Sequence, residues 1–221
     1  MINKYIVANW KENMGFEDTI SWVDGFSGFL KFLSPENEII IAPSFPFIPV
    51  IYELSKKSML KVAAQDISLK EKGANTGETG AFQVKEFCKY AIIGHSERKE
   101  DVNVVAAKRD ICLKEKITPI ICFTNPEDLV RLHKEGVIMA WENPVNISKN
   151  GVYNAEDPSK IVLIVNEIRK IISSNTPLIY GGSVNENNIE HIAKITNLNG
   201  VLVGNASLDP KTFADIIRAY N

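Results

Sequence analysis

Polar and charged side chains follow several short apolar runs of this sequence, at the point where each run ends. They comprise an amide, a lysine, an imidazole, a hydroxyl, two carboxylates and two turns of small residues: Asn9, Lys11, His95, Ser96, Glu97, Glu142, Gly181-Gly182-Ser183 and Gly204-Asn205. If the runs are parallel strands of one barrel, their carboxyl ends share a rim and these groups meet there. A cation, an imidazole and carboxylates on one rim are suited to proton transfer beside an anionic substrate.

The two glycine-containing turns indicate where an anion would bind. Gly181-Gly182 follows the seventh apolar run and Gly204 follows the eighth. Glycine-rich turns that lead into helices present backbone N–H groups to anions, and barrels often bind phosphate after strands seven and eight. A single Gly-Gly pair is more often just a turn of the chain, but the two turns together favour phosphate binding.

Each charged candidate has a plain structural alternative when it is considered alone. Lys11 could be a solvated surface lysine, His95 could cap the helix that follows it, and Glu142 could be an exposed carboxylate on the rim. The joint arrangement of these residues, one at the end of each of several strands, favours the catalytic interpretation.

Eight apolar runs are predicted to form the strands that carry these groups. They are rich in Ile and Val and lack polar alternation, which is typical of parallel strands buried on both faces. The predicted strands are Tyr5–Asn9, Glu38–Ala42, Lys61–Ala64, Tyr90–Ile93, Thr118–Cys122, Val137–Trp141, Leu178–Tyr180 and Gly200–Val203.

Helical patterns lie between the strands, and they complete the fold prediction. The clearest are Glu17–Leu33, Pro158–Ser174, Asn185–Thr196 and Pro210–Tyr220, the last two with Asn185 and Asp209 as predicted N-caps. Eight strands alternating with helices predict an α/β fold, a single-domain (β/α)8 barrel of eight parallel strands ringed by helices, over residues 1–221. An open doubly wound sheet is the alternative, although no G-x-G-x-x-G motif follows the first strand.

Composition excludes several classes of function. The chain has 221 residues, a net charge of −2 and no basic block, which argues against nucleic-acid binding. It has no apolar run long enough to span a membrane and no signal-peptide pattern, so we expect no membrane partner. Cys88, Cys112 and Cys122 match neither zinc-site nor redox-pair spacing, which predicts three reduced, buried thiols in a cytoplasmic protein.

The same segments resemble triosephosphate isomerases, in the order in which that family has them and over nearly the whole chain. The resemblance lies in Ala8–Asn13 (ANWKEN), Ile93–Arg98 (IGHSER), Ala140–Glu142 (AWE), Tyr180–Val184 (YGGSV) and Leu202–Leu208 (LVGNASL). It implies a cofactor-free, metal-free isomerase of glycolysis and gluconeogenesis that interconverts dihydroxyacetone phosphate and glyceraldehyde 3-phosphate through an enediolate.

The resemblance also implies a role for each matching residue. Glu142 would be the base, His95 a neutral electrophile and Lys11 the balancing cation, while Asn9 would orient the substrate. Glu97 would hold Lys11 or relay within the site, and Ser96 would contact the glutamate in its open position. The phosphate would be bound by Gly182, Ser183, Gly204, Asn205 and, in the lid, Ser148.

The resemblance further implies self-association. Gly73–Glu78 (GANTGE) is similar to the loop tip that reaches into a neighbouring subunit in the family, with Thr76 at the tip. We therefore expect a homodimer, with a tetramer left open; an ordinary exposed loop is the alternative.

The lid is where this short chain departs from the family. The family usually has proline directly after the glutamate and Gly-Thr-Gly at the lid tip, whereas here Asn143 follows Glu142 and the tip reads Ser148-Lys149-Asn150. A small shift in the match would give the phosphate contact to Gly151 in place of Ser148. Asn205 stands where a second glycine is usual, and asparagine tolerates positive φ well. We expect activity with a raised KM or slower lid closure.

Two other functions stay open at this point. A non-catalytic, phosphate-binding barrel would explain the altered lid, but a scaffold does not need Asn9, Lys11, His95 and Glu142 together. A metal-dependent phosphosugar epimerase would share the fold, but the sequence offers no convincing His/Asp ligand set.

Overall fold

Eight parallel strands close into one barrel in the computed structural model, which describes residues 4–32, Ser34, 36–146 and 154–220. Each strand pairs with the next along the chain, and the first pairs with the last, Tyr5 opposite Gly200. The strands are β1 (Lys4–Asn9), β2 (Asn37–Ala42), β3 (Lys61–Ala64), β4 (Tyr90–Ile93), β5 (Thr118–Phe123), β6 (Ile138–Trp141), β7 (Leu178–Tyr180) and β8 (Gly200–Val203).

Helices connect the strands and surround the barrel. They are α1 (Phe16–Ser27), α2 (Ile48–Ser55), α3 (Ala81–Val84), α4 (Val102–Lys114), α5 (Leu129–Leu132), α6 (Pro158–Arg169), α7 (Ile189–Ala193) and α8 (Pro210–Arg218). Short 3-10 turns supplement them, and those on the carboxyl-terminal rim include Pro144–Asn146 after β6 and Asn205–Ser207 after β8.

The hydrophobic core has two layers because strand side chains alternate between the two faces of the barrel wall. One set fills the barrel interior, with Val7, Ile40, Ile92 and Ile179 among its members. The other set packs between the strands and the helices. Both faces of every strand are therefore buried, which explains why the strand sequences are continuous apolar runs.

The predicted barrel and its eight strands are confirmed, each strand to within one residue at either end. The four predicted helices, α1, α6, α7 and α8, are all shorter than expected, α8 by only two residues. The prediction of Asn185 as the N-cap of α7 is wrong, because that helix begins after Asn188. Asp209 does cap α8, since its carboxylate accepts a hydrogen bond from the Thr212 N–H at 2.7 Å.

None of the helices in the described part of the chain has the length and apolar character required to cross a bilayer.

Candidate active site

A carboxylate and an imidazole meet at the carboxyl-terminal rim of the barrel. Glu142 follows β6 and His95 follows β4, and the distance from Glu142 Oε1 to His95 Nε2 is 3.0 Å. Glu142 is 1% exposed and His95 is 7% exposed. The two side chains therefore face each other in a site largely shielded from water, where a hydrogen bond is stronger than in solvent.

The second nitrogen of the His95 ring identifies its tautomer. His95 Nδ1 accepts a hydrogen bond from the Glu97 backbone N–H at 3.3 Å. The Glu97 carboxylate is 3.6 Å from the same nitrogen, beyond hydrogen-bond distance. We assign the imidazole proton to Nε2, because a nitrogen that accepts a hydrogen bond carries no proton. The Nε2–H thus points at Glu142 and into the pocket.

The other oxygen of Glu142 is held by the β4 loop. Glu142 Oε2 accepts a hydrogen bond from the Ser96 backbone N–H at 2.9 Å. The contact predicted between Ser96 and the glutamate thus runs through the backbone, and the Ser96 hydroxyl is buried with no hydrogen-bond partner in the described residues. On its other side Glu142 contacts Cys122 on β5. Burial and then the negative charge of Glu142 raise the pKa of the Cys122 thiol well above its ordinary value.

Lys11 reaches the same rim from the end of β1. Its Nζ lies 2.5 Å from Glu97 Oε1, and its side chain is about a quarter exposed. Lys11 has a φ of 52°, an uncommon value for a residue with a Cβ atom. The Asn9 side chain supports this turn, since its Oδ1 accepts from the Lys11 N–H at 3.2 Å. The backbone conformation of Lys11 is therefore fixed, and with it the position from which its side chain extends.

The turns after β7 and β8 form the opposite wall of the pocket. The pocket is lined by charged, amide and glycine residues that include Asn9, Lys11, His95, Glu142, Gly181, Gly182, Gly204 and Asn205. Gly182 needs to be glycine, since a Cβ atom there would lie 1.9 Å from the buried Tyr180 hydroxyl. Asn205 begins the 3-10 turn Asn205–Ser207 and does not use the positive φ that the sequence allowed it.

Ser183 is not among the residues that line this pocket, and its hydroxyl binds the base of the lid. Its Oγ donates to the Asn146 carbonyl oxygen at 2.6 Å and accepts from the Asn154 N–H at 3.1 Å. Asn146 ends the first lid stem, residues 143–146, and Asn154 begins the second lid stem, residues 154–156. The Ser183 hydroxyl thus ties the two stems to the β7 turn.

The site predicted from the sequence is brought together on one rim with two exceptions. Ser148, Lys149, Asn150 and Gly151 lie outside the described residues. Thr76 is exposed at the tip of the loop after β3, away from the pocket. No group of three or more His, Cys, Asp or Glu side chains in the described part of the chain is arranged to hold a metal ion.

Comparison with known proteins agrees with this geometry. A model of the triosephosphate isomerase family matches residues 4–220. The triosephosphate isomerase of Aquifex aeolicus is 30% identical, over 99% of this chain and 100% of its own length. That of Thermodesulfovibrio yellowstonii is 33% identical over the same shares, and that of Wolbachia pipientis wMel is 34% identical over 96% of this chain and 92% of its own length. The chain belongs to the triosephosphate isomerase family.

Two residues that the sequence analysis did not identify support the site of this triosephosphate isomerase family member. They are Gln65 and Ser44, and both bind the backbone of Lys11. Gln65 Nε2 donates to the carbonyl oxygens of Lys11 and Ala42, each at 2.9 Å, and Ser44 Oγ donates to the Lys11 carbonyl oxygen at 2.9 Å. Their position one and two residues after the ends of β3 and β2 is the one signal that could have identified them.

Proposed function

We propose that this protein interconverts dihydroxyacetone phosphate and D-glyceraldehyde 3-phosphate in glycolysis and gluconeogenesis. The observation that carries the proposal is the 3.0 Å contact between Glu142 Oε1 and His95 Nε2, beside Lys11, in a chain of the triosephosphate isomerase family. The reaction moves a proton between adjacent carbons, so it needs a positioned base and a group that stabilises the enediolate oxygen. It needs no metal or organic cofactor.

Glu142 is the proposed base, and His95 and Lys11 are the proposed electrophiles. When the substrate carbonyl oxygen accepts the hydrogen bond of His95 Nε2–H, it takes the place of Glu142 Oε1. The carboxylate is then available to remove the proton from the adjacent carbon. A neutral imidazole and a water-excluding loop are the features for which triosephosphate isomerases are the standard example, so this assignment is applied from the family.

The remaining roles complete the proposal. Asn9 orients the substrate and the Lys11 turn, Glu97 holds the Lys11 ammonium, and the Ser96 N–H holds Glu142 in its open position. The substrate phosphate lies against the turns that contain Gly182, Ser183, Gly204 and Asn205, with Ser148 of the lid as a further contact. The hydroxyl of Ser183 is engaged with the lid stems, so its contribution to phosphate binding is partly indirect.

The proposal includes self-association and a cytoplasmic location. The exposed loop tip at Thr76 supports a homodimer, with a tetramer as the larger alternative. The unpaired, buried thiols of Cys88, Cys112 and Cys122 support a reducing compartment. The relatives named above are all called triosephosphate isomerases, so they give no support to the alternative of a non-catalytic scaffold.

The first test is isomerase activity on glyceraldehyde 3-phosphate in the presence of a metal chelator. We expect the native chain to be active and Glu142→Ala to lower kcat by roughly 10²- to 10⁴-fold, because general base catalysis is lost. Glu127→Ala removes an exposed carboxylate on the same rim and serves as the control, with unchanged activity expected. A well-folded native protein without isomerase activity would refute the proposed function.

A further inference from the structure

The two lid stems are tied to each other by asparagine side chains. Asn146 Nδ2 donates to the Asn154 carbonyl oxygen at 3.0 Å, and Asn154 Nδ2 donates to the Val145 carbonyl oxygen at 2.7 Å. Closer to the active site, Asn143 Nδ2 donates to Glu156 Oε2 at 2.9 Å. The stems therefore have an outer tie, between Asn146 and Asn154, and an inner tie, between Asn143 and Glu156.

The inner tie lies directly beside the proposed base. Asn143 is the residue after Glu142, and its side chain uses both ends of its amide. While Nδ2 donates to Glu156, Oδ1 accepts from the Val145 N–H at 3.2 Å. Upstream, the Glu142 N–H donates to the Phe123 carbonyl oxygen at 2.9 Å. The backbone of Glu142 is thus held by β5 on one side and by Asn143 on the other.

Glu156 is itself held in place by the start of α6. Its side chain is 12% exposed, and its Oε1 accepts from the Asp157 N–H at 3.2 Å. Lys160 Nζ is 3.5 Å from the same oxygen. Because Asp157 is the N-cap of α6, the Glu156 carboxylate is fixed to a helix end, and it is a firm anchor for Asn143.

We propose that Asn143 and Glu156 are a positioning pair that fixes the backbone after the base, so that the Glu142 carboxylate is delivered to the substrate. The proposal rests on the proposed isomerase function. Neither residue touches the reacting atoms. When the inner tie is lost, the outer tie and Ser183 still connect the two stems. The loss should therefore change the position of Glu142 and have little effect on the structure of the stems.

The contact with Glu156 can be tested alone with Asn143→Asp, because an aspartate keeps the acceptor for the Val145 N–H. It places a second carboxylate against Glu156 Oε2, and the two repel each other. We expect kcat to fall about 10-fold, since misplacing a catalytic group costs rate steeply. KM should change less than about 2-fold, since the phosphate contacts are elsewhere.

The double variant Asn143→Asp with Glu156→Gln exchanges donor and acceptor. The amide that the second change introduces at position 156 can donate to the new carboxylate, so we expect kcat to return to within about 2-fold of the native value. A merely structural role would not give this rescue together with an unchanged KM. Lys160→Ala is the matched control, because it removes the cation beside Glu156 and leaves the hydrogen bond between Asn143 and Glu156 intact.

The outcomes separate this proposal from the proposed function. The assay of the native chain comes first: if the native chain has no activity, the proposed isomerase function is wrong. The variants are then compared only with an active native chain, so they test the positioning pair alone. An active native chain whose Asn143→Asp variant keeps its kcat, or whose double variant is not rescued, overturns the positioning pair. If Asn143→Asp does not fold, judged by thermal unfolding, Asn143→Ala replaces it: a lower kcat at constant KM supports the pair, and an unchanged kcat overturns it.

Discussion

Lys11 combines a charged side chain with an unusual backbone conformation. Its φ of 52° is a conformation that residues with a Cβ atom adopt rarely, at an energetic cost. Three neighbours compensate for that cost, because Asn9 binds the Lys11 N–H while Gln65 and Ser44 bind its carbonyl oxygen. The strained turn directs the ammonium toward Glu97 and the pocket, so residues that never touch a substrate determine where the cation lies.

Gln65 allows this support to be tested. Gln65→Leu keeps the size of the side chain but removes one hydrogen-bond donor from each of the carbonyl oxygens of Lys11 and Ala42. The Lys11 oxygen keeps Ser44 as a donor, and the Ala42 oxygen keeps the Trp10 N–H. We expect kcat/KM to fall about 10-fold, because the cation is misplaced, and the free energy of unfolding to fall by about 1–3 kcal/mol.

Steady-state kinetics and urea unfolding measure the two effects of Gln65→Leu. Ser44→Ala is the control, since it removes one donor to Lys11 while Gln65 keeps the other, and a smaller change is expected. Native kinetics in Gln65→Leu would contradict the positioning role.

The sequence predicted the side chains of the site better than their support. His95, Glu142 and Lys11 follow apolar runs directly, and parallel strands bring such positions to one rim whatever the details of packing. Gln65 and Asn143 act through hydrogen bonds to residues 54 and 13 positions away. No local pattern encodes such partners, so the supporting contacts became visible only in the folded chain.

At the scale of the elements, two residues that both look like helix N-caps in the sequence, Asp209 and Asn185, behave differently. Asp209 caps α8, whereas Asn185 binds within its own turn, where its Oδ1 accepts from the Asn187 N–H at 2.9 Å. Short polar side chains satisfy a turn as readily as a helix end, and this competition delays the start of α7 until after Asn188. Strand positions were predictable because burial on both faces leaves a continuous apolar signal, while helix ends depend on such local choices.

The α8 cap predicts a pH-dependent contribution to stability. The hydrogen bonds from Thr212, its backbone N–H first, lower the pKa of Asp209. A lowered folded-state pKa means that the stabilisation is present above the unfolded pKa of about 4 and is lost as the pH falls through the folded pKa. Asp209→Ala should cost about 1 kcal/mol at pH 7, or about 2–4 °C in Tm.

Asp209→Asn is the matched control for this cap. Asparagine still accepts the hydrogen bond but has no charge to titrate, so the Tm difference between the native protein and Asp209→Asn should shrink as the pH falls and the native carboxylate is protonated. Thermal unfolding of the three proteins between pH 3 and pH 7 provides the comparison. An equal loss for Asp209→Ala at both ends of that range would contradict the contribution of the charge.

At the scale of the whole molecule, the active rim and the loop after β3 face the same end of the barrel. That loop has an ordered base, since the Ser68 N–H donates to the Thr79 carbonyl oxygen at 2.9 Å, and an exposed tip that includes Thr76. An ordered loop with an exposed tip is suited to reach into a second copy of the chain, as the proposed homodimer requires.

The variant Thr76→Arg tests whether two copies of the chain associate through this loop tip. A long charged side chain at the tip has to lose its water when it enters a partner, which is costly without a counter-charge. We therefore expect sedimentation equilibrium to give the native protein the mass of a dimer or larger and the variant the mass of a monomer. Ser174→Arg, in an exposed turn before β7 at the opposite end of the barrel, should leave the native mass unchanged. A native monomer would refute self-association.

The pairing of β1 with β8 has a consequence for how the chain reaches this structure. Lys4 Nζ donates to the Leu198 carbonyl oxygen across 194 residues of sequence, and the Tyr5 N–H donates to Asn199 in the same seam. The entropy of bringing such distant segments together is lost before their contacts form, which slows folding. Until that seam closes, the nascent sheet has two unpaired edges that can recruit other chains. The protein is thus most exposed to aggregation in the interval before its first and last strands meet, and a chaperone that shields those edges would act on an intermediate and not on the finished barrel.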